Sequence, residues 1–285
     1  VADPASGRFL RDGQVGDFAV AGNQFDVAGR FTTPRSPQGH PVVLQAGESP
    51  AGRDFAAANA DAIFSRYQRF DEARAFYDDV KARVRKAGRD PGEVRILPSA
   101  GVVLGDTGAE ARERHAHIHD QQVDPWTSIV LAEMVWNRDL SAFDPDGPLP
   151  DVDPTPEAPT WIEGRAPLTQ DAHATVRAWR ELADAHGWSL REVVKHVFDR
   201  AVFVGTPEHV ADEIDRYVQA DASDGFILGS HVSPSGLDEI VDRVVPILQE
   251  RGVFRTGYDG GTLRENLGLA PPSRFGERRS PAVAS

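Results

Sequence analysis

The stretch Val42-Val-Leu-Gln-Ala-Gly47-Glu48-Ser49-Pro50-Ala-Gly52 has the residue types of an anion site. An apolar run ends there and a glycine permits a tight turn. A serine then precedes a proline suited to the first position of a helix. The serine is placed to cap that helix, whose first amides have no intrahelical acceptor and sit at its positive end. Such amides can hold a phosphate. Gly47 and Gly52 lack a Cβ, which would let an anion approach the backbone. An ordinary βα turn with a serine cap uses the same residues, and Glu48 would repel a phosphate unless its carboxylate points away. Spacing alone leaves both readings open.

Other candidates are weaker. Phe203-Val-Gly-Thr-Pro-Glu208 is a second strand–turn–helix junction, which we read as structural capping by Thr206 beside Gly205. His115, His117 and His119 suggest a metal, but on a helix only His115 and His119 share a face. With no His-Glu-x-x-His pattern and no third ligand evident, the expectation is a solvated helix face beside Glu113 and Asp120, and no metal. No Gly-x-Ser-x-Gly elbow, Walker A loop or Gly-x-Gly-x-x-Gly turn is present, which disfavours hydrolase triads, P-loops and dinucleotide folds. Trp126, Trp136, Trp161, Trp179 and Trp188 fall within one stretch, where packing of helices is the default role. No residue stands out as an acid or base.

The elements that must position these residues alternate. Asp17-Phe-Ala-Val and Phe25-Asp-Val flank a Gly-Asn turn and predict a hairpin. Pro34-Arg-Ser-Pro-Gln-Gly39 is a turn cluster. Pro41 to Gln45 reads as a buried parallel strand, followed by a helix from Pro50 to about Asn59 and a strand at Ala62-Ile-Phe64. Ala73, Phe76, Tyr77, Val80 and Val84 form the apolar stripe of a helix that stops at Gly88. Val94 to Leu97 and Val102 to Leu104 read as two strands, and Thr107 to Glu110 as a capping box. Ile129 to Trp136 reads as helical. Residues 143–159 hold six prolines and four aspartates and predict a linker or long loop inserted before the last strand. Helices resume at Thr169 to His186 and behind the capping box Ser189 to Glu192. A strand at Ala201 to Val204, a helix from Pro207, a strand at Gly225 to Leu228 and a helix at Leu237 to Gln249 complete the pattern, the last with Val241, Val244, Val245 and Leu248 on one face.

This rhythm is that of a parallel α/β fold, but a closed (β/α)8 barrel needs eight strands and only four or five are found. The chain begins at Val1 and its single Met is Met134, which we read as a sign of a missing upstream part. The expected plan is one unit over 1–270, with the insertion at 143–159 and a flexible tail at 271–285. A half-barrel of this kind would expose strand edges, so homo-oligomerisation or association with the missing half is expected.

With 31 basic and 44 acidic residues, a net charge of −13 and the basic residues scattered, nucleic-acid and membrane partners are not expected. The absence of cysteine among 285 residues removes disulfides and thiol nucleophiles and fits a cytoplasmic location.

The run Pro34 to Gly52 closely resembles one branch of the bacterial-luciferase-like flavin monooxygenases, which acts on nitrilotriacetate, EDTA, dibenzothiophene sulfone and long-chain alkanes. Ala75-Phe-Tyr-Asp-Asp-Val-Lys81, Val204-Gly-Thr-Pro-Glu208, Asp224-Gly-Phe-Ile227, Gly252 to Tyr258 and Thr262 to Leu269 are similar as well, so the resemblance spans about 16–271. It implies the (β/α)8 TIM-barrel family, here with about strands five to eight plus a helical insertion, Leu44 and Gln45 lying in strand five and Phe226 in strand eight. It implies reduced FMN from a separate flavin reductase, O2 as co-substrate, and oxygenation of a small organic molecule through a flavin hydroperoxide. The FMN phosphate would fall on Ala46, Gly47, Glu48 and Ser49. Two alternatives stay open: a deazaflavin-dependent oxidoreductase of the same fold, and a non-catalytic half-barrel acting as a binding or assembly unit. Gly229-Ser-His231-Val-Ser departs from the family, which has an apolar, proline-containing stretch there.

Overall fold

A computed structural model describes residues 3–7, 16–33, 36–164, 168–169, 171–199 and 201–270. The expected tail at 271–285 lies outside the described residues. The hairpin forms as predicted: β1 (Asp17–Ala21) pairs antiparallel with β2 (Asp26–Arg30), and Gly22 N–H closes the turn on Phe25 O at 3.0 Å.

Five strands then make one parallel sheet: β3 (Leu44–Gln45), β4 (Ala62–Ser65), β5 (Arg95–Leu104), β6 (Ala201–Gly205) and β7 (Ile227–Gly229). Among the described residues the sheet is open. Its helices start where local capping chemistry dictates. Ser49 caps α1 (Pro50–Asn59), Thr107 caps α3 (Gly108–Gln122), and Thr206 caps α7 (Pro207–Gln219). In α2 (Phe70–Lys86) the predicted stripe buries Ala73, Phe76, Val80 and Val84, the last three against Ala56, Ala57, Ile63 and Ile96.

Three expectations need correction. The run at Pro41–Gln45 is not a buried strand. Only Leu44 and Gln45 pair, on β4 alone, and Leu44 is 55% exposed, because β3 is an edge of the sheet. The two strands expected around Pro98 are one continuous β5. Pro98 lacks an N–H but still lies in register with Ser65, and Ser99 to Gly101 stay extended because β7 pairs with them. Gly101 faces Ala201 on one edge and Gly229 on the other, so β6 and β7 flank β5 on opposite sides. In the helix after β7, a π turn at Ile240–Val244 joins α8 (Ser235–Glu239) to α9 (Val245–Glu250). It offsets the apolar face, so that Ile240, Val244 and Leu248 are buried and Val241 is exposed.

The chain between β5 and β6 builds a separate helical cluster from α4 (Pro125–Trp136), α5 (Ala172–His186) and α6 (Leu190–Phe198). Trp136 packs edge-on against Trp179, and Trp179 against Phe198, the packing role expected for these rings; Trp126 and Trp161 are exposed. The proline-rich span has no regular element but is not a free linker. Trp136 Nε1 donates to Val152 O, Arg180 to the carbonyls of Pro150 and Val152, and the amides of Leu190 and Arg191 to Gly147 and Pro145.

The end of the sheet where strands begin is tied by buried ion pairs. Asp224, just before β7, accepts from Ile96 N–H at 2.8 Å and pairs with Lys81 Nζ at 3.0 Å. Lys81 also donates to Pro91 O and Val94 O, and Tyr77 donates to Asp224. Asp61, just before β4, accepts from Val43 N–H and is clasped by both Nη atoms of Arg264 in α10 (Leu263–Asn266). Arg95 Nε holds Leu267 O at 2.8 Å. Burial pushes the Asp61 carboxyl up, but the Arg264 and Val43 hydrogen bonds outweigh it and hold the group below the ordinary carboxylate range. No helix of the described residues is long and apolar enough to cross a membrane.

Candidate functional site

The candidate site sits at the opposite end, where strands stop. The chain leaves β3 at Gln45 and turns through Ala46, Gly47 and Glu48 to Ser49, the N-cap of α1. Pro50 starts the helix because its fixed φ suits the first turn and its missing N–H costs nothing there. Ser49 Oγ accepts from Gly52 N–H at 3.1 Å, which leaves the hydroxyl proton free to donate to an anion. Gly47 N–H is taken by Gln45 Oε1 at 2.8 Å, and Arg53 N–H by Ser49 O. Among the described residues, the amides of Ser49 and Ala51 have no hydrogen-bond partner. A hydroxyl proton and two amides are thus available at the positive end of the helix.

The two glycines act differently from expectation. A Cβ on Gly47 would run into Gln45 Nε2 and lie 3.1 Å from Gly52 Cα; one on Gly52 would lie 3.0 Å from Gly47 C. The missing side chains let the two backbones pack on each other, and that close turn sets the direction of the free amides.

The Glu48 carboxylate is engaged by Arg66. It accepts from Arg66 N–H at 2.7 Å and from the Arg66 guanidinium at 2.9 and 3.1 Å. Arg66 stands at the end of β4, so the pair links two adjacent strand ends. Sequence reading missed Arg66; the available signal is that a βα unit places the residues after successive parallel strands side by side. Arg53 secures the turn from below, donating to Glu48 O, Asp79 and Tyr67 Oη at 2.8 Å each while stacking over Phe76.

The second junction carries capping alone. Thr206 Oγ1 accepts from His209 N–H, and a Cβ on Gly205 would strike the His209 ring. The histidine face on α3 is not the solvated surface expected. His117 is exposed, but His119 is only 8% exposed, and Asp199 at the end of α6 brings a carboxylate to His115 at 3.1 Å. A carboxylate that the sequence does not reveal therefore lies beside the two histidines.

The luciferase-like monooxygenase profile matches residues 8–224. Among curated proteins, one subunit of the pristinamycin IIA synthase of Streptomyces pristinaespiralis is 38% identical, covering 90% of this chain and 57% of that protein. Nitrilotriacetate monooxygenase component A of Aminobacter aminovorans is 34% identical, covering 93% and 58%. Among solved structures, riboflavin lyase (RcaE) with modified FMN and riboflavin superposes with a TM-score of 0.68 at 28% identity, covering 95% of this chain and 57% of that one. The chain spans just under three fifths of the length of these relatives. A profile match over most of the chain, relatives above 30% identity and a shared α/β architecture agree with the resemblance found in the sequence, and the chain belongs to the luciferase-like monooxygenase family.

Proposed function

We propose that this chain carries the FMN-phosphate cradle of a monooxygenase that oxygenates a small organic substrate with O2, using reduced FMN made by a separate reductase. One observation carries the reading: the free Ser49 hydroxyl proton and the partnerless amides of Ser49 and Ala51 converge at the start of α1, with Glu48 engaged by Arg66. The relatives support the rest. One is named as a component and another as a subunit, which fits a reductase on a separate chain, and the riboflavin lyase structure holds a modified FMN.

The bound flavin would supply the activation of O2. The residues of this chain do what a fold can do for it. Ser49 donates its hydroxyl proton to a phosphate oxygen while still capping α1, and the Ser49 and Ala51 amides donate beside it. Arg66 keeps the Glu48 carboxylate from repelling the dianion. The cradle lies at the C-terminal end of parallel strands, where barrels of this class place their sites.

Removing the hydroxyl tests the cradle. Each charge-assisted hydrogen bond contributes on the order of 1.5–3 kcal/mol, so Ser49→Ala weakens FMN binding about tenfold or more. The lost cap also costs about 1 kcal/mol of stability, so binding is compared at matched folded fractions. Flavin-fluorescence titration with riboflavin is the control, because riboflavin has no phosphate and its affinity stays unchanged. Equal weakening of both flavins would mean that Ser49 is a helix cap and nothing more.

A further inference from the structure

A second constellation lies away from the cradle, where α3, the α6–β6 junction and the loop after β7 meet. His115 and His119 share one face of α3, their rings 5.5 Å apart and nearly parallel. Asp199, the C-cap residue of α6, places Oδ1 3.1 Å from His115 Nε2. One ligand atom from each of His115, His119 and Asp199 lies within 4.8 Å of the others.

Two observations separate this cluster from a surface ion pair. His119 is more than nine-tenths buried, yet its Nε2 has no hydrogen-bond partner. His231, in the loop after β7, has a buried Nε2 that also lacks a partner. A folded protein rarely leaves a buried ring nitrogen unsatisfied without a reason. His231 Nδ1 lies 3.2 Å from the Gln122 side-chain amide, and turning that amide over would offer it an oxygen.

The frame around the cluster is rigid. Lys195 on α6 pairs with Asp120 on α3, and Arg191 donates to the carbonyls of Val123 and Asp120. Lys195 is therefore already neutralised. Burial holds His119 below the ordinary imidazole range, with His115 and Lys195 adding to it against the pull of Asp199. His231 is lowered in the same direction, by burial first and then by His115.

The geometry points to a divalent transition-metal site of the zinc class, with His115, His119 and Asp199 as ligands. Two histidines one helical turn apart with a carboxylate from a distant segment are a donor set that zinc accepts, at bond lengths of about 2.0–2.2 Å. The ion would fasten α3 to the end of α6.

The test uses the tag-free chain, stripped with a chelator and titrated with Zn2+ or Co2+. One ion is retained per chain after dialysis, and Co2+ gives the visible absorption of a four-coordinate nitrogen–oxygen site. His119→Ala and Asp199→Asn each weaken Zn2+ binding about tenfold or more, since even groups that merely orient a ligand are worth that much. His117→Ala, on the exposed face of the same helix, leaves affinity unchanged. Asp199→Asn preserves shape at a partly exposed position, so its effect stands if the buried His119 variant folds poorly. Failure to retain Zn2+, a six-coordinate Co2+ spectrum, or an equal loss from His117→Ala would overturn the assignment.

Discussion

The two ends of the parallel sheet are built on opposite plans. Where the strands begin, charged groups are buried and paired: Lys81 with Asp224, Arg264 with Asp61, and Arg95 with the carbonyls of Leu267 and Gly268. Where they end, Arg66 is largely exposed, Ser49 keeps a proton to donate, and amides wait without acceptors. The first plan fixes the strands against one another, and the second leaves groups to be satisfied by something bound. Barrels built from βα units place stability and chemistry at opposite faces. The Asp224-Gly-Phe-Ile227 and Thr262 to Leu269 motifs fall on the stabilising side; Gly47-Glu48-Ser49 falls on the other.

The strongest way to break this contrast is to remove one partner of a buried pair. Lys81→Met keeps the aliphatic stem but leaves Asp224 without its closest cation, and should cost about 3–5 kcal/mol in urea unfolding. A loss below about 1 kcal/mol would show that the strand-start network is not what fixes the sheet.

A smaller effect, readable by pH, concerns Asp61. Its carboxyl is held below the ordinary range in the folded state, so the native form binds its proton less readily than the unfolded chain. That contribution is complete above about pH 4, where the unfolded carboxyl ionises, and fades as the pH falls through the lower folded value. Thermal melts should show the wild type losing stability as the pH drops from about 5 to below 4, and Asp61→Asn losing less over that window. Parallel pH profiles for the two proteins would remove Asp61 from the account.

The smallest stability effect is expected where strands end. Arg66→Ala breaks a pair whose cation is 76% exposed, and should cost less than about 1 kcal/mol. The same change unpairs the Glu48 carboxylate, so FMN binding should weaken while riboflavin binding does not. If Arg66→Ala unfolds the chain as readily as Lys81→Met, the two ends are not different in kind.

What the sequence made legible was local. Ser49-Pro50, Thr206-Pro207 and the Ser189 to Glu192 box announce their helices because a cap is complete within four residues. The groups that hold the strand-start end are hidden because their partners lie 143 residues apart for Lys81 and Asp224, and 203 for Asp61 and Arg264. The carboxylate that reaches His115 lies 84 residues downstream, so a helix-face reading of the histidines does not find it. Pro98 suggests a break in β5 because a proline lacks a ladder donor, whereas neighbours on both edges keep that strand extended. The offset stripe of the helix after β7 escapes the pattern because apolar periodicity assumes an α turn, and five residues there follow a π turn.

The junction of β5 and β6 has a consequence for how this chain can change. Gly105 N–H, at the point where the chain leaves β5, donates to Gly205 O, the last residue of β6, at 3.2 Å. Residues 106–200 therefore leave the sheet after β5 and return to it at Ala201, which pairs with Gly101 of the same strand. Lengthening, shortening or replacing material within such a loop leaves the spacing of its two ends untouched, and loop-closure entropy grows only slowly with length. Substitutions and insertions can accumulate in α4, α5 and the proline-rich span without moving β3, β4 or the Ser49 turn. That half of the chain can vary while the turn at Ser49 stays where it is.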